Sequence, residues 1–329
     1  MLAILRSIWN PMMYHGHGRR RNFFEGWYFK FVDASEQHVH AVIPGIFLGR
    51  HPDASHAFVQ ILDGLTGRST YTQYPLDVFH ASEREFDVHI GPNHFRADGF
   101  SLALDTTDRK VRGELCFTDV QSWPVSALSP GIMGWYAFVP FMECYHGVGS
   151  FDHALHGALS IDGTNVNFDG GRGYIEKDWG QAFPQSWVWV QSNHFGQPRT
   201  CLTASVANIP WLGSAFRGFI IGLWRDGRLY RFATYTGARI ESLRLTDTLV
   251  VMRAADRRHR LEIEATRTEG GLLQAPYRTD MLKRVTESLT ATVDVRLVER
   301  EGGRDHVVFE GQGRHVGLEI NGELKQLLD

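Results

Sequence analysis

Short segments in which apolar and polar side chains alternate, separated by Gly, Pro, Asn and Asp turns, run through almost the whole chain. Strands of this kind, recurring about every 8–12 residues, are typical of an antiparallel barrel or sandwich. The strongest hairpin signal is Asp226-Gly227, which joins two alternating segments. The pattern predicts an all-β protein with few helices, one of them a short terminal helix over 319–328.

The chain has 329 residues, which is long for one compact barrel and sufficient for two domains. Residues 122–131 interrupt the alternation with two prolines and three serines. We therefore predict an N-terminal domain over 1–125 and a C-terminal domain over 126–329. We expect the second domain to open with a strand over 135–148.

The formal net charge is −3, and no basic field is available to hold nucleic acid. Arginines 19–21 form a local basic cluster, which we interpret as a solvated segment before the first strand.

The apolar start, residues 1–8, is interrupted by Arg6 and is too short for a signal-peptide core. The 3 cysteines are widely spaced, which favours free thiols. We expect a cytoplasmic protein that can contact a membrane surface to collect an apolar substrate.

The first segment whose side chains could take part in catalysis or binding is FFEGWYFK, residues 23–30. On a strand, Glu25 shares an aromatic face with Trp27. The carboxylate is either a salt-bridged residue of a barrel or a polar group in a ligand cavity. Glu25, Trp27 and Tyr28 are candidate substrate-binding residues.

The second segment runs from residue 131 to residue 147 and contains a carboxylate in an apolar sequence. Burial there would raise the pKa of Glu143, so that its carboxyl could donate a proton near neutral pH. The alternative is a Glu satisfied by backbone or Arg partners. Glu143 is a candidate catalytic acid, and Trp135, Tyr145 and His146 are candidate binding residues.

The third segment, GYIEKDWG, spans residues 173–180. Strand geometry places Glu176 and Asp178 on one face, and Lys177 and Trp179 on the opposite face. Two carboxylates held close together raise the pKa of one of them, which can then stay protonated. The alternative is an ordinary charged strand end. Glu176 and Asp178 are the first choice for a catalytic acid.

The fourth segment, SWVWVQSNHF, spans residues 186–195. Its alternate positions carry two indoles followed by two amides, an arrangement that suits a pocket wall. A packed barrel core with a polar rim would give the same pattern. The candidate binding residues here are Trp187, Trp189, Gln191, Asn193 and His194.

Together, FFEGWYFK, PGIMGWYAFVPFMECYHG, GYIEKDWG and FPQSWVWVQSNHF resemble the signature segments of the tocopherol cyclases, in the same order. The resemblance is dense from residue 23 to residue 195 and thin afterwards. It implies two lipocalin-like antiparallel β-barrel or sandwich domains. Plant members begin with a plastid-targeting extension, whereas the first matching segment here comes almost at once, which suggests a bacterial relative.

The resemblance implies a cofactor-independent reaction on a small hydrophobic substrate, a prenylated hydroquinone. An acid protonates a prenyl alkene, and the phenol oxygen closes onto the resulting cation to give a chromanol. Such chemistry requires a neutral, desolvated acid, aromatic faces beside the cation, and few competing waters.

Three other function classes were weighed. A hydratase or isomerase of a terpenoid or carotenoid alkene could use the same acid, and a non-catalytic barrel could carry an apolar ligand. The histidine-rich stretches lack the HExxH spacing and any Cys/His cluster, so we predict no metal site. The sequence leaves the oligomeric state open.

Overall fold

The computed structural model describes residues 2–140, 142–211, 214–277, 280–302 and 304–328. These residues are almost entirely strand, which confirms the all-β prediction and the lipocalin-like architecture. The one α-helix among them is α1 (Leu2–Trp9), and the 3-10 turns are Pro52–Ala54, Leu76–Val78, Gly134–Phe138, Thr234–Thr236 and Leu324–Gln326. In the described part of the chain, no helix has the length and apolarity needed to cross a bilayer.

The chain divides into two compact units. The first comprises Met1–Phe183 with Leu272–Arg284, and the second comprises Pro184–Gly271 with Val285–Asp329.

The first unit contains a 12-stranded antiparallel sheet that curls into a nearly closed barrel. Its strands are β1 (Phe23–Val32), β2 (Val39–Leu48), β3 (His56–Asp63), β4 (Ser69–Tyr74), β5 (Phe79–Ala81), β6 (Asp87–Ile90), β7 (Asn93–Arg96), β8 (Gly99–Asp105), β9 (Lys110–Gln121), β10 (Cys144–Ile161), β11 (Thr164–Asn167) and β12 (Arg172–Gly180). The strand order is β4-β3-β2-β1-β12-β10-β9-β8-β7-β6-β5, and β11 pairs with β10.

The core of the first unit follows from the period-2 alternation of its strands. Alternate residues of β1, Phe23, Trp27, Phe29 and Phe31, belong to the apolar cluster inside the barrel, and Glu25 is the one polar residue in this series. Burying each large side chain of this kind contributes about 1.5–3 kcal/mol. The opposite face of the sheet, which we call the outer face, carries the intervening residues.

The position of β12 explains why the first unit extends beyond the predicted boundary at 125/126. Strand β12 pairs with β1 on one side and with β10 on the other. The strands that follow residue 126 therefore complete the first sheet. Because of this pairing, the two units differ from the predicted division into residues 1–125 and 126–329.

The second sheet has 11 strands in the order β17-β16-β15-β13-β23-β22-β20-β19-β18, and β14 pairs with β23 and β21 with β22. Its strands are β13 (Trp187–Ser192), β14 (His194–Phe195), β15 (Thr200–Trp211), β16 (Ser214–Arg225), β17 (Arg228–Ala233), β18 (Arg239–Leu245), β19 (Leu249–Ala255), β20 (His259–Thr266), β21 (Gly271–Tyr277), β22 (Asp280–Glu301) and β23 (Arg304–Asn321). The second unit contains these strands except for β21 after Gly271 and the start of β22 up to Arg284, which belong to the first unit. The predicted hairpin is confirmed: Asp226 and Gly227 have φ of 47° and 80° and connect β16 to β17.

Two local predictions were wrong. The strand predicted over 135–148 begins only at Cys144, because Gly131 and Gly134 take positive φ values of 93° and 57° and turn the chain into a 3-10 segment. The terminal helix predicted over 319–328 is instead the end of β23, followed by one 3-10 turn after Gly322. Gly322 has φ of 79°, which breaks the strand.

Candidate active site

Strand β12 carries two polar clusters, one on each face. The outer cluster consists of Cys144, His146, Tyr174, Glu176 and Asp178. The inner cluster, on the barrel side, consists of His15, Glu25, Trp27, Lys177 and Trp179. The predicted separation of Glu176 and Asp178 from Lys177 and Trp179 is therefore found in the structure.

The outer cluster is centred on an imidazole between two carboxylates. In the register of β10 and β12, His146 lies opposite Asp178. Its Nδ1 is 2.9 Å from Asp178 Oδ1, and its Nε2 is 3.7 Å from Glu176 Oε2. The Tyr174 hydroxyl donates to the same Glu176 Oε2 over 2.6 Å. An unbroken line of polar contacts thus runs from Tyr174 to Asp178.

The charge state of the outer cluster is set by its excess of carboxylates. Burial by itself would lower the pKa of His146, but the charges of Asp178 and Glu176 and the hydrogen bond to Asp178 raise that pKa to about 9. The imidazole is therefore a cation near neutral pH. The side chain of Glu176 is 8% exposed and that of Asp178 27%, so the cluster has a buried end and an open end.

Cys144 shares the outer face but stays a neutral thiol. Burial, followed by the charges of Asp178 and Glu143, raises its pKa well above the ordinary value. Its Sγ lies 3.9 Å from Asp178 Oδ1. A protonated thiol is a weaker nucleophile and metal ligand than a thiolate.

Tyr28 and Glu143, two further candidates from the sequence, lie near this cluster. Tyr28 is the cross-strand neighbour of Glu176, and its ring meets that of Tyr174 at 6.5 Å. Glu143 is half-buried, and its Oε2 has no hydrogen-bond partner among the described residues. Burial raises the pKa of Glu143, against the opposing charge of Arg284. This agrees with the direction expected from the sequence.

The inner cluster is a sealed ion pair. Glu25 and Lys177 are both 0% exposed, and Lys177 Nζ contacts Glu25 Oε1. The backbone N–H of His15 donates to both Glu25 oxygens, at 3.0 and 2.9 Å, and its Nδ1 lies 2.9 Å from Lys177 Nζ. The ammonium lies 4.8 Å from the rings of both Trp27 and Trp179. Glu25 is thus a salt-bridged barrel residue, one of the two alternatives that the sequence left open.

The pKa shifts of the inner cluster follow from its burial. Burial opposes ionisation of Glu25, but the charge of Lys177 and hydrogen bonds from His15 and Lys177 hold the carboxyl pKa below its usual range. Burial lowers the pKa of Lys177 to about 8 and, together with the charge of Lys177, that of His15 to about 4. The pair is charge-balanced and closed to solvent.

Tyr145 and Trp135 are members of neither the outer nor the inner cluster. The Tyr145 ring stacks on Trp179 at 5.5 Å, and its hydroxyl donates to the Val139 carbonyl over 2.8 Å. Trp135 lies in the 3-10 turn, stacks on Tyr136 and is 50% exposed. The structure therefore separates Trp135 from the strand on which the sequence placed it.

The remaining candidates lie in the second unit. On β13, Val188 and Val190 face the core of that unit, so Trp187, Trp189 and Gln191 lie on the other face. The Gln191 side chain is 0% exposed, and neither of its amide atoms has a hydrogen-bond partner among the described residues. This is the alternation expected of a binding wall.

Asn193 and His194 follow at the end of β13. The side chains of both are buried, and His194 Nδ1 lies 2.9 Å from Asn193 Oδ1. They form a local polar pair. Whether the residues of the second unit bind the same substrate as the outer cluster stays a prediction.

Several polar residues at these positions were not identified from the sequence. Tyr174 could have been, since it precedes Glu176 by two residues on the same strand face. His15 and Glu319 could not, because their partners are fixed only by the fold. Glu319 accepts a 2.6 Å hydrogen bond from Trp187 Nε1 and lies opposite Glu287 in the register of β22 and β23.

Two groups of side chains in the described residues have the composition and spacing to hold a metal ion. One is His146, Glu176 and Asp178, and the other is Asp87, His89 and His94. In each, the potential ligand atoms lie within 4.8 Å of one another. In the outer cluster, a metal ion would bind only the neutral imidazole of His146, so its binding would release a proton.

Comparison with known proteins agrees with the resemblance seen in the sequence. Residues 97–322 match the model of the family described as tocopherol cyclase-like. Over 237 residues, 69% of the chain, it is 26% identical to the chloroplastic tocopherol cyclase of Zea mays and 25% identical to a probable chloroplastic tocopherol cyclase of Oryza sativa subsp. japonica. The match spans about half of the length of these relatives, 49% and 50%.

Two solved structures share the fold at low sequence identity. Kievitone hydratase from Nectria haematococca superposes with a TM-score of 0.52 at 11% identity, over 91% of this chain and 89% of that chain. CghA superposes with a TM-score of 0.55 at 12% identity, over 92% and 88%. Since the family model covers more than two thirds of the sequence, this chain belongs to the tocopherol cyclase-like family.

Proposed function

We propose that this protein catalyses a cofactor-independent, acid-catalysed cyclisation of a prenylated hydroquinone to a chromanol. The observation that carries the proposal is the outer cluster, in which a cationic imidazole and a tyrosine hydroxyl both face one buried carboxyl group, that of Glu176. Membership of the tocopherol cyclase-like family supports the same class of reaction.

The contacts of Glu176 indicate which oxygen delivers the proton. Oε2 accepts the Tyr174 hydrogen bond and faces His146 Nε2, so in the neutral acid the proton lies on Oε1. When that proton is transferred, Tyr174 and the imidazolium of His146 stabilise the carboxylate that remains. The same partners favour the carboxylate form of Glu176, so they increase its acid strength and decrease the fraction of molecules in which it is protonated at neutral pH. The rate should therefore rise as the pH falls.

The reaction balances without an oxidant or reductant. The Glu176 proton forms a C–H bond with the less substituted alkene carbon, and positive charge develops on the tertiary carbon. The phenol oxygen then forms a C–O bond to that carbon, and the phenol proton passes to a carboxylate of the outer cluster. The product is an isomer of the substrate.

Glu143 is the second choice for the acid. Its raised pKa and its Oε2, which has no hydrogen-bond partner among the described residues, suit a proton donor. The charge of Arg284 would favour the carboxylate after proton transfer, but no described side chain donates a hydrogen bond to Oε2 as Tyr174 does to Glu176. Glu143→Gln should therefore reduce the rate less than Glu176→Gln.

The second unit contains a candidate binding residue of its own, Gln191. A fully buried amide without a hydrogen-bond partner among the described residues is costly unless a ligand satisfies it. A hydroquinone hydroxyl offers both a donor and an acceptor to such an amide. The indoles of Trp187 and Trp189 would provide apolar, electron-rich surface beside it.

The direct test is incubation of the purified protein with a prenylated hydroquinone in a buffer without added cofactor, followed by chromatography and mass spectrometry. A chromanol of unchanged mass is expected from the wild type and from Glu114→Gln, a control at an exposed strand carboxyl of the same unit. Glu176→Gln should lose the product. Chromanol formation that persists in Glu176→Gln combined with Asp178→Asn would refute the acid assignment.

A hydratase is the second candidate, and the open end of the outer cluster favours it. Asp178 is 27% exposed, so water can approach the cluster and add to the cation in place of the phenol. The product would then be a tertiary alcohol, one water heavier than the substrate. The same mass measurement separates the two reactions. Tight binding without turnover would instead favour a carrier of apolar ligands.

A further inference from the structure

Three histidines form a row across neighbouring strands on the outer face of the first sheet, away from β12. In the register of β5, β6 and β7, His80 lies opposite His89, and His89 lies opposite His94. Directly opposed residues of an antiparallel pair share a face with their Cβ atoms about 4.5–5.5 Å apart. Asp87 joins this face, since it precedes His89 by two residues on β6.

The side chains converge on one carboxylate oxygen. His94 Nε2 is 3.2 Å and His89 Nε2 is 3.4 Å from Asp87 Oδ1. The two imidazoles stack at 3.8 Å with an interplanar angle of 12°. All three groups remain accessible, with side-chain exposures of 48% for His89, 33% for Asp87 and 21% for His94.

These separations fit a tetrahedral transition-metal site. With metal–ligand bonds of about 2.0–2.1 Å, neighbouring ligand atoms in a tetrahedron lie about 3.3–3.4 Å apart. Two imidazole nitrogens and a carboxylate oxygen are a ligand set that suits Zn²⁺, and imidazole also binds Cu²⁺ and Ni²⁺. The paired strands fix the backbone positions of the ligands. The two imidazoles are stacked with an interplanar angle of 12°, so one ring must rotate about its side-chain torsions before both nitrogen lone pairs can point at one ion.

We propose that Asp87, His89 and His94 form a Zn²⁺ site, with water or His80 as the fourth ligand. The site is separate from the proposed cyclase centre and does not rest on it. It would clamp the β6–β7 hairpin, and β5 as well if His80 takes part.

The surroundings of His94 predict how affinity can be adjusted. Arg96 approaches His94 Nδ1 at 3.4 Å, and a metal on Nε2 requires a proton on that same Nδ1. The guanidinium must therefore move away, while Asp98 at 3.0 Å and Glu114 at 3.4 Å can still hold it. Removing this charge with Arg96→Leu should strengthen Zn²⁺ binding several-fold.

The test is Zn²⁺ binding to the full chain, measured by calorimetry and by competition with a chromogenic chelator. We expect one ion per chain at micromolar affinity, and at least a tenfold loss in His89→Ala and in His94→Ala. His80→Ala should lose less, and His51→Ala, at an exposed histidine outside the row, should bind like the wild type. Bound Co²⁺ should give the visible absorption of a tetrahedral ion in the wild type and in His51→Ala, but not in His89→Ala or His94→Ala.

Two results would overturn the proposal. One is binding weaker than millimolar in the wild type, provided that the thermal melting of the metal-free protein shows it to be folded. The other is Zn²⁺ binding that survives in His89→Ala and His94→Ala but disappears in His146→Gln, which would place the ion at the outer cluster. Because both His89 and His94 lie at the surface, their variants should melt like the wild type without metal.

Discussion

On each face of strand β12 a carboxylate and an imidazole come together, yet the two arrangements differ in charge and exposure. The inner cluster pairs Glu25 with Lys177, and both side chains are 0% exposed. The outer cluster sets two carboxylates against His146 and opens to solvent at Asp178, which is 27% exposed. One arrangement is charge-balanced and closed, whereas the other has an excess of acid and is accessible.

This difference indicates which ionisable residues are structural and which can react. A sealed, compensated pair has no access to substrate, and removing either partner leaves a buried charge. An accessible cluster with surplus carboxylates can take up and release protons at little structural cost. The following substitutions test that division, in order of decreasing expected effect.

Glu176→Gln should have the largest effect, on activity. Loss of a positioned general acid typically lowers the rate by about 10²–10⁴-fold. Steady-state cyclisation of a prenylated hydroquinone measures this, with urea unfolding as the check on folding. The side chain is isosteric, so stability should change by less than about 1 kcal/mol. A rate within threefold of the wild type would contradict the assignment.

Lys177→Met should have the largest effect on stability. It leaves Glu25 charged and unpaired in the barrel, which costs about 3–5 kcal/mol. Urea denaturation followed by tryptophan fluorescence measures the loss. The matched double variant Glu25→Gln with Lys177→Met should recover most of it, because no buried charge remains. A single variant as stable as the wild type would mean that the inner cluster is not structural.

The charge of His146 predicts a pH dependence of stability. Its pKa rises from the ordinary 6.5 to about 9 on folding, so the protonated form stabilises the native state fully below pH 6.5. That contribution, at most about 3 kcal/mol, is lost as the pH rises through about 9.

His146→Asn provides the reference for this measurement. The pKa of Lys177 falls from 10.5 to about 8 on folding, so Lys177 makes stability increase between pH 8 and pH 10.5. This effect is the same in the wild type and in His146→Asn. The difference in unfolding free energy between wild type and His146→Asn therefore isolates the histidine. A difference that stays constant between pH 6 and pH 9.5 would show that His146 is not cationic in the folded protein.

Tyr174→Phe should have the smallest effect. It removes the 2.6 Å hydrogen bond to Glu176 while keeping the ring, and should lower the rate about tenfold. The loss should fall on kcat more than on KM, because the bond acts on the acid and not on the bound substrate. An unchanged kcat would remove Tyr174 from the mechanism.

Much of this arrangement followed from the period of a strand. Alternation alone placed Glu176 with Asp178 and set Lys177 apart from them, because side chains of a strand point to opposite faces in turn. Turn chemistry alone identified the Asp226-Gly227 hairpin. Both are local properties, encoded within a few consecutive residues.

Pairing across strands could not be predicted in the same way. That His146 stands opposite Asp178, or that Lys177 meets Glu25, depends on which strands become neighbours and in which register. The histidine row of β5, β6 and β7 escaped notice for this reason, since His80, His89 and His94 face one another only in the register that these strands adopt. The late start of β10 was missed because two glycines with positive φ override the apolar pattern before it.

The central claim, that the outer cluster protonates an alkene, is tested most directly by turnover in D₂O. Wild-type protein should convert a prenylated hydroquinone into a chromanol with one deuterium on the carbon next to the new ether carbon, and Glu176→Gln should form almost none. A chromanol without deuterium at that carbon, or one formed by Glu176→Gln at the wild-type rate, would contradict the account.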